Sequence, residues 1–167
     1  RAVRFEQRYH FRIGPATEKL IKNDVSLKLL DKLSPSRLFN EFEHICAEET
    51  AILCIRRLHE LGILQAIHPQ LSINPDRKEM LIRTAKVMAW YRLLYIDEEM
   101  RPWLVYFLVL CSSLTYAVTL EVFRRLGIPP ALKNEVLGCR EKARSLRSSL
   151  KRLTATPGFR VSALCAM

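Results

Sequence analysis

The sequence predicts an all-α fold of nine or ten helices, and three observations carry that expectation. Only five glycines stand among 167 residues, against an abundance of Leu, Ile, Arg, Lys and Glu, the residues that lose least on entering a helix. No stretch sustains the apolar-polar alternation of a half-buried strand, whereas apolar residues recur at steps of three and four. Composition is that of an ordinary globular chain, 49% apolar and 26% charged, which is enough for one domain with a core or for two small helical subdomains.

The first helix is predicted from Arg1 to near His10. Wound at 100° per residue, Arg1, Arg4, Arg8 and Arg12 share one stripe and Ala2, Phe5 and Tyr9 an adjacent one, so one side is suited to packing and the other to anions or to water. Gly14-Pro15 starts a second helix, with proline at its permissive first position. Asn23-Asp24 predicts a break, followed by a short apolar helix from Val25 to Leu33. Ser34-Pro35, a hydroxyl cap before proline, opens a helix carrying Leu38, Phe42 and Ile45. Glu48 to Leu61 forms the next, closed by Gly62, and Ile63 to His68 adds a further turn.

Residues Leu71 to Lys78 predict a subdomain boundary, dividing the chain into 1–70 and 71–153. Asn74 caps a long helix from Pro75 to about Tyr95. Asp97-Glu98-Glu99 read as first-turn acids of the helix that follows, since no nucleophile or metal-ligand set accompanies them. Trp103 to Leu120 is uncharged and long enough to raise the question of a membrane span. Ser112-Ser113 and the capping Thr115 divide it into two short core helices instead, the second ended by Gly127. In the last helix Leu132, Val136, Cys139, Ala143, Leu146, Leu150 and Leu153 form a seam. Lys133, Arg140, Arg144, Arg147 and Lys151 form a basic stripe beside it. Residues 154–167 show no period and read as a frayed tail.

The net charge is +10, and all of the excess lies at the two ends: +4 over residues 1–22 and +6 over 131–167, with thirteen charges of each sign between. Brought to one side of a fold, the two ends would make a surface for a polyanion. Cys46, Cys54, Cys111, Cys139 and Cys165 are odd in number, widely spaced and without a CxxC pair, which predicts reduced core thiols. His44, His59 and His68 show neither HExxH spacing nor a His-Asp doublet, so no metal site is assigned. The chain starts at arginine without an apolar signal segment and reads as a piece of a longer cytoplasmic protein.

Two stretches add a resemblance. RAVRF followed by RYHFRIGPATEKLI resembles the junction motif of the class II tRNA nucleotidyltransferase and poly(A) polymerase family, matching at Arg1, Ala2, Arg4, Phe5, Phe11, Ile13 and Thr17 and placing His10 where the family usually has glycine. LSPSRLFNEFEHI is similar to the family's next neck motif, with Arg37 and Glu41 on its Arg and Glu positions. The resemblance implies the neck and body of such an enzyme, with the nucleotide-selecting acids and first arginine lying just before Arg1. It implies no catalytic residue in this chain. Arg1 and Arg4 would serve the nucleotide phosphate or the junction with a head domain in cis, and Arg37 with Glu41 would brace the nucleotide-selecting helix. Arg8, Arg12, Lys133, Arg140, Arg144, Arg147 and Lys151 would contact RNA, a tRNA acceptor stem or another RNA 3′ end, and DNA is not an expected partner. Mg²⁺ and CTP or ATP are implied for the parent, with no cofactor in this portion. A helical protein-interaction or oligomerisation domain built on the 132–153 seam is the alternative reading.

Overall fold

The computed structural model describes residues 1–94 and 100–155, and they form helices joined by short turns, without a strand. In chain order the helices are α1 (Ala2–Arg8), α2 (Pro15–Ser26), a 3₁₀ turn (Leu29–Lys32), α3 (Pro35–Ala47), α4 (Ala51–Glu60), α5 (Ile63–Ile67), α6 (Pro75–Arg92), α7 (Pro102–Leu110), α8 (Tyr116–Leu126) and α9 (Pro130–Ala155). The chain forms two compact units, Arg1–Pro129 and Pro130–Met167.

The first unit is built around α7. All nine of its residues, PWLVYFLVL, are apolar or aromatic, and Trp103, Tyr106, Phe107, Val109 and Leu110 are buried, as a helix without a polar face must be. Edge-on ring contacts tie it to its neighbours: Phe39 of α3 meets Trp103 at 5.0 Å, Phe42 meets Phe107 at 6.4 Å, and Phe107 meets Phe123 of α8 at 5.2 Å. Such pairs add about 1 kcal/mol each beyond the area they bury. Helix α3 therefore packs on α7 and α8, and α4 on α6, so helices on both sides of residues 71–78 share one core. Ile55, Leu61, Leu64, Leu81 and Val122 belong to the same core and are almost wholly shielded.

Several boundaries follow the local chemistry read above. Asn74 accepts the Arg77 backbone N–H at 2.8 Å and Thr115 accepts that of Val118 at 3.3 Å, each satisfying one of the orphan donors at a helix start. No helix among the described residues is long and apolar enough to cross a membrane, because the 103–120 run is cut after Leu110. Gly127 ends α8 at φ +61°, and a Cβ there would lie 2.5 Å from the Pro35 Cβ. The C-terminus of α8 and the N-terminus of α3 thus meet at a point that only glycine allows.

Other boundaries differ. Helix α2 runs straight through Asn23-Asp24, because the Asn23 carbonyl accepts both the Leu27 N–H at 2.9 Å and the Ser26 hydroxyl at 2.7 Å. The chain breaks at Lys28 instead, whose φ is +56°, and only a 3₁₀ turn follows, with Leu27 and Leu33 exposed. Arg125 of α8 holds that turn through the Leu30 carbonyl at 2.5 Å and Asp31 at 3.2 Å. Ser34 precedes α3 without a side-chain cap bond. Helix α4 starts three residues later than Glu48, and α6 stops at Arg92. The Asp97-Glu98-Glu99 reading and the tail from 156 lie outside the described residues.

The second unit is described through α9, a single helix of 26 residues. Of its apolar seam, Val136 is buried, Leu132 and Cys139 are half-buried, and Ala143 and Leu146 are exposed. Leu150 and Leu153 fall outside the described side chains.

Candidate nucleic-acid interface

Helix α1 is held from both flanks by ion pairs, and this decides which of its residues face outward. On one flank Arg4, 11% exposed, donates from Nε to Glu41 Oε1 at 2.9 Å and lies 3.7 Å from Glu48. Arg8 grips the same Glu48 with two nitrogens, Nε at 3.0 Å and Nη2 closer still. Glu48 sits at the joint between α3 and α4, so one carboxylate ties three helices. Burial raises the Glu41 carboxyl, and the hydrogen bond from Arg4 works against it.

On the other flank Glu6 is 4% exposed and yet fully used. It accepts the Ile13 backbone N–H at 3.0 Å and Arg57 Nε of α4 at 2.9 Å. Arg57 also reaches Glu18 of α2 at 2.6 Å and Glu60 at 3.3 Å. Lys22 at 2.7 Å, together with Arg57, pulls the Glu18 carboxyl down to about 2. This group binds α1, α2 and α4 to one another and fixes the chain between Tyr9 and Gly14. A buried carboxylate with a hydrogen-bonded arginine is tolerated; without it, the charge would be orphaned at a cost of about 3 kcal/mol.

The packing face of α1 is accordingly Val3 and Glu6, not the Ala2, Phe5 and Tyr9 stripe expected from the pattern. Phe5 and Tyr9 are 37% and 64% exposed, their rings 6.0 Å apart with Arg4 over the face of Phe5. The reason is the buried ion pair, which turns an acidic residue inward and the aromatics outward. Glu41 likewise receives Arg4 and not Arg37, which is exposed and forms no ion pair among the described residues. The local i, i+4 partner loses to one that α1 presents from a partly shielded position.

The turn after α1 opens a cleft of about 830 Å³ between α1, α2 and α4. His10 stands in the left-handed region at φ +54°, which swings Phe11 and Arg12 out of line with α1 and onto the cleft wall. Lys19 and Lys22 of α2 and Arg57 of α4 line it as well. Arg12 and Lys19 are exposed and form no ion pair among the described residues. Phe11 is 49% exposed.

The remaining site residues fall as follows. Arg1 and Arg8 have side chains 82% and 44% exposed. On α9 Lys133 is half-buried and Arg140 is 7% exposed. The expectation of Arg140 as a surface contact is corrected on this point: it lies one turn from the buried Val136, on the same face. The side chains of Arg144, Arg147 and Lys151 lie outside the described residues. Glu6, Glu18, Glu48, Arg57 and Phe11 were not anticipated. Glu6 and Arg57 are 51 residues apart, beyond any local signal; Phe11 was visible within the motif, but nothing in its spacing marked it as exposed. Cys46, Cys54 and Cys111 are buried. No group of three His, Cys, Asp or Glu that could hold a metal ion occurs among the described residues.

Residues 10–74 match the family described as "Probable RNA and SrmB- binding site of polymerase A", and these residues include the cleft wall from Phe11 to Lys22. The chain is 46% identical over 114 residues to the A-adding tRNA nucleotidyltransferase of Geobacter sulfurreducens, covering 68% of this chain and 13% of that protein. It is 27% identical over 152 residues to the A-adding tRNA nucleotidyltransferase of Aquifex aeolicus, covering 91% and 18%. The chain thus spans less than a fifth of these relatives. Among solved structures it is similar to a CCA-adding enzyme in complex with ATP, with TM-score 0.75 and 26% identity over 93% of this chain and 37% of that one. It is also similar to a tRNA nucleotidyltransferase complexed with a primer tRNA and an incoming ATP analog, with TM-score 0.73 and 26% identity over 99% and 48%.

Proposed function

We propose, from the premise that this chain is a helical region of the class II tRNA nucleotidyltransferase and poly(A) polymerase family, that it binds RNA and positions a tRNA acceptor end for addition of AMP or CMP by a separate head domain. The carrying observation is that the residues matched to the RNA-binding family description, 10–74, line most of a cleft and bring to it Arg12 and Lys19, exposed cations without an ion pair among the described residues. The two A-adding relatives favour AMP as the residue added. ATP or CTP and Mg²⁺ belong to the head in this reading, and a cytoplasmic location, where tRNA is available, goes with it.

Each part of the chain then has a task. Arg4, Glu41 and Glu48 brace α1 so that whatever it joins is presented at a fixed angle, with Arg37 left to an outside contact. Arg1, Arg8 and Arg12 supply positive charge along the exposed side of α1 and the cleft, and α9 supplies more through Lys133, Arg144, Arg147 and Lys151. Phosphate contacts of this kind position a substrate without reading its sequence.

The test is a titration of the 167-residue chain with a tRNA lacking its terminal adenosine, repeated at several salt concentrations. Binding should weaken steeply as salt rises and be nearly equal for tRNAs of different sequence. The same mixture with Mg²⁺ and labelled ATP should incorporate no label. A salt-insensitive dimer that ignores tRNA would replace this reading with the oligomerisation domain.

A further inference from the structure

We infer that the turn from Tyr9 to Ile13 is a platform for an unpaired RNA base, with Phe11 stacking on the base and Arg12 and Lys19 holding the phosphates beside it. This deepens the RNA-binding reading and rests on it. Three independent features of the cleft point the same way.

The first is the exposure of Phe11. At 49% it leaves half of an aromatic ring in water on a cleft wall, although Ile13, two residues on, is buried at 8%. The second is rigidity. The Ile13 N–H is bonded to Glu6, and Glu6 to Arg57, while His10 is kept at a positive φ that side-chain-bearing residues avoid. A backbone held in an unfavourable well by surrounding bonds marks a geometry worth keeping, and here it aims Phe11 and Arg12 at the cleft. The third is charge. Arg12 and Lys19 line the cleft, exposed and without ion-pair partners among the described residues, whereas the other lining cations, Lys22 and Arg57, are occupied by Glu18, Glu6 and Glu60. The positive charge available to a backbone is therefore that of Arg12 and Lys19.

A ring with flanking cations suits a single strand and not a duplex. In a duplex the base faces are already stacked on one another, while an unpaired base offers a whole face to an aromatic side chain. The cleft volume of about 830 Å³ is ample for a nucleotide. The substrate class is thus an unpaired nucleotide at or near an RNA end, bound with little regard to base identity, because every base has a face to stack.

The full chain is titrated by fluorescence anisotropy with two labelled RNAs, an unstructured strand of about ten nucleotides and a blunt hairpin without overhang. Phe11→Leu and Phe11→Ala should each weaken the single strand about tenfold and the hairpin less than about twofold, whereas Phe11→Trp should bind the strand at least as well as the parent. Replacing Arg12 and Lys19 by Gln should flatten the salt slope for the single strand by about one to one and a half units. Phe11 is on the surface, so circular dichroism should be unchanged in every variant. If Phe11→Leu binds the strand like the parent, or loses the hairpin equally, the platform is wrong while RNA binding stands. If the unsubstituted chain binds neither RNA, the platform and the RNA-binding reading both fall.

Discussion

His10 adopts φ +54°, a conformation costing a residue with a Cβ about 1 to 2 kcal/mol. The family motif that the sequence resembles usually has glycine at this position, so the structure supplies a physical reason for a letter that the sequence alone could only record as a departure. Substituting His10→Gly should relieve the strain and return part of the gain as extra freedom of the unfolded chain, leaving a net increase in stability of about 0.5 to 1 kcal/mol. Urea denaturation measures it, and a loss of stability would mean that the imidazole makes a contact worth more than the strain. Much else at this scale was illegible for one reason, the long-range ion pair. The i, i+4 spacing of Arg37 and Glu41 suggested a mutual bond, yet Glu41 sits 2.9 Å from Arg4, 37 positions away. Glu6 drew no reading at all, because a pattern of apolar letters cannot show that Arg57, 51 positions away, pairs with it.

At the scale of the helix, legibility was good wherever punctuation was chemical and local. Asn74-Pro75, Thr115 and Gly127 each marked a boundary that the backbone confirms, since a cap or a left-handed glycine acts within three or four residues. The reading failed at Asn23-Asp24, where α2 continues because nothing in a helix surface forbids Asn or Asp; their low propensity is a bias of a few tenths of a kcal/mol that one more turn of hydrogen bonds overrides. Gly127 carries the sharpest prediction at this scale. An alanine there meets both a positive φ and a Pro35 Cβ at 2.5 Å, and Pro35 cannot move without shifting the start of α3. Gly127→Ala should therefore cost about 2 kcal/mol or more, while Gly14→Ala, with nothing within 4 Å of its Cβ, should cost much less. Thermal melts of the two variants side by side make the comparison, and equal losses would show that the α8–α3 approach is looser than drawn.

For the whole molecule, the distribution of charge was legible from the start and the disposition of individual cations was not. The sequence places its excess in residues 1–22 and 131–167, but ion pairs then occupy Arg4 and Lys22 and burial withdraws Arg140. On α9 the remaining candidates for phosphate contact besides Lys133 are Arg144, Arg147 and Lys151, which repeat at steps of three and four and so lie along one stripe of the helix. If all three neutralise phosphates of a tRNA acceptor stem, their replacement by Gln removes three counterion releases. The slope of log K against log salt should then flatten by roughly two to three units, at about 0.9 for each duplex phosphate contact. Affinity should fall by a similar factor for tRNAs of different sequence, since such contacts carry no base information. A folded triple variant whose slope is unchanged would remove these three from the interface and leave Arg1, Arg8, Arg12, Lys19 and Lys133 as the candidate cations.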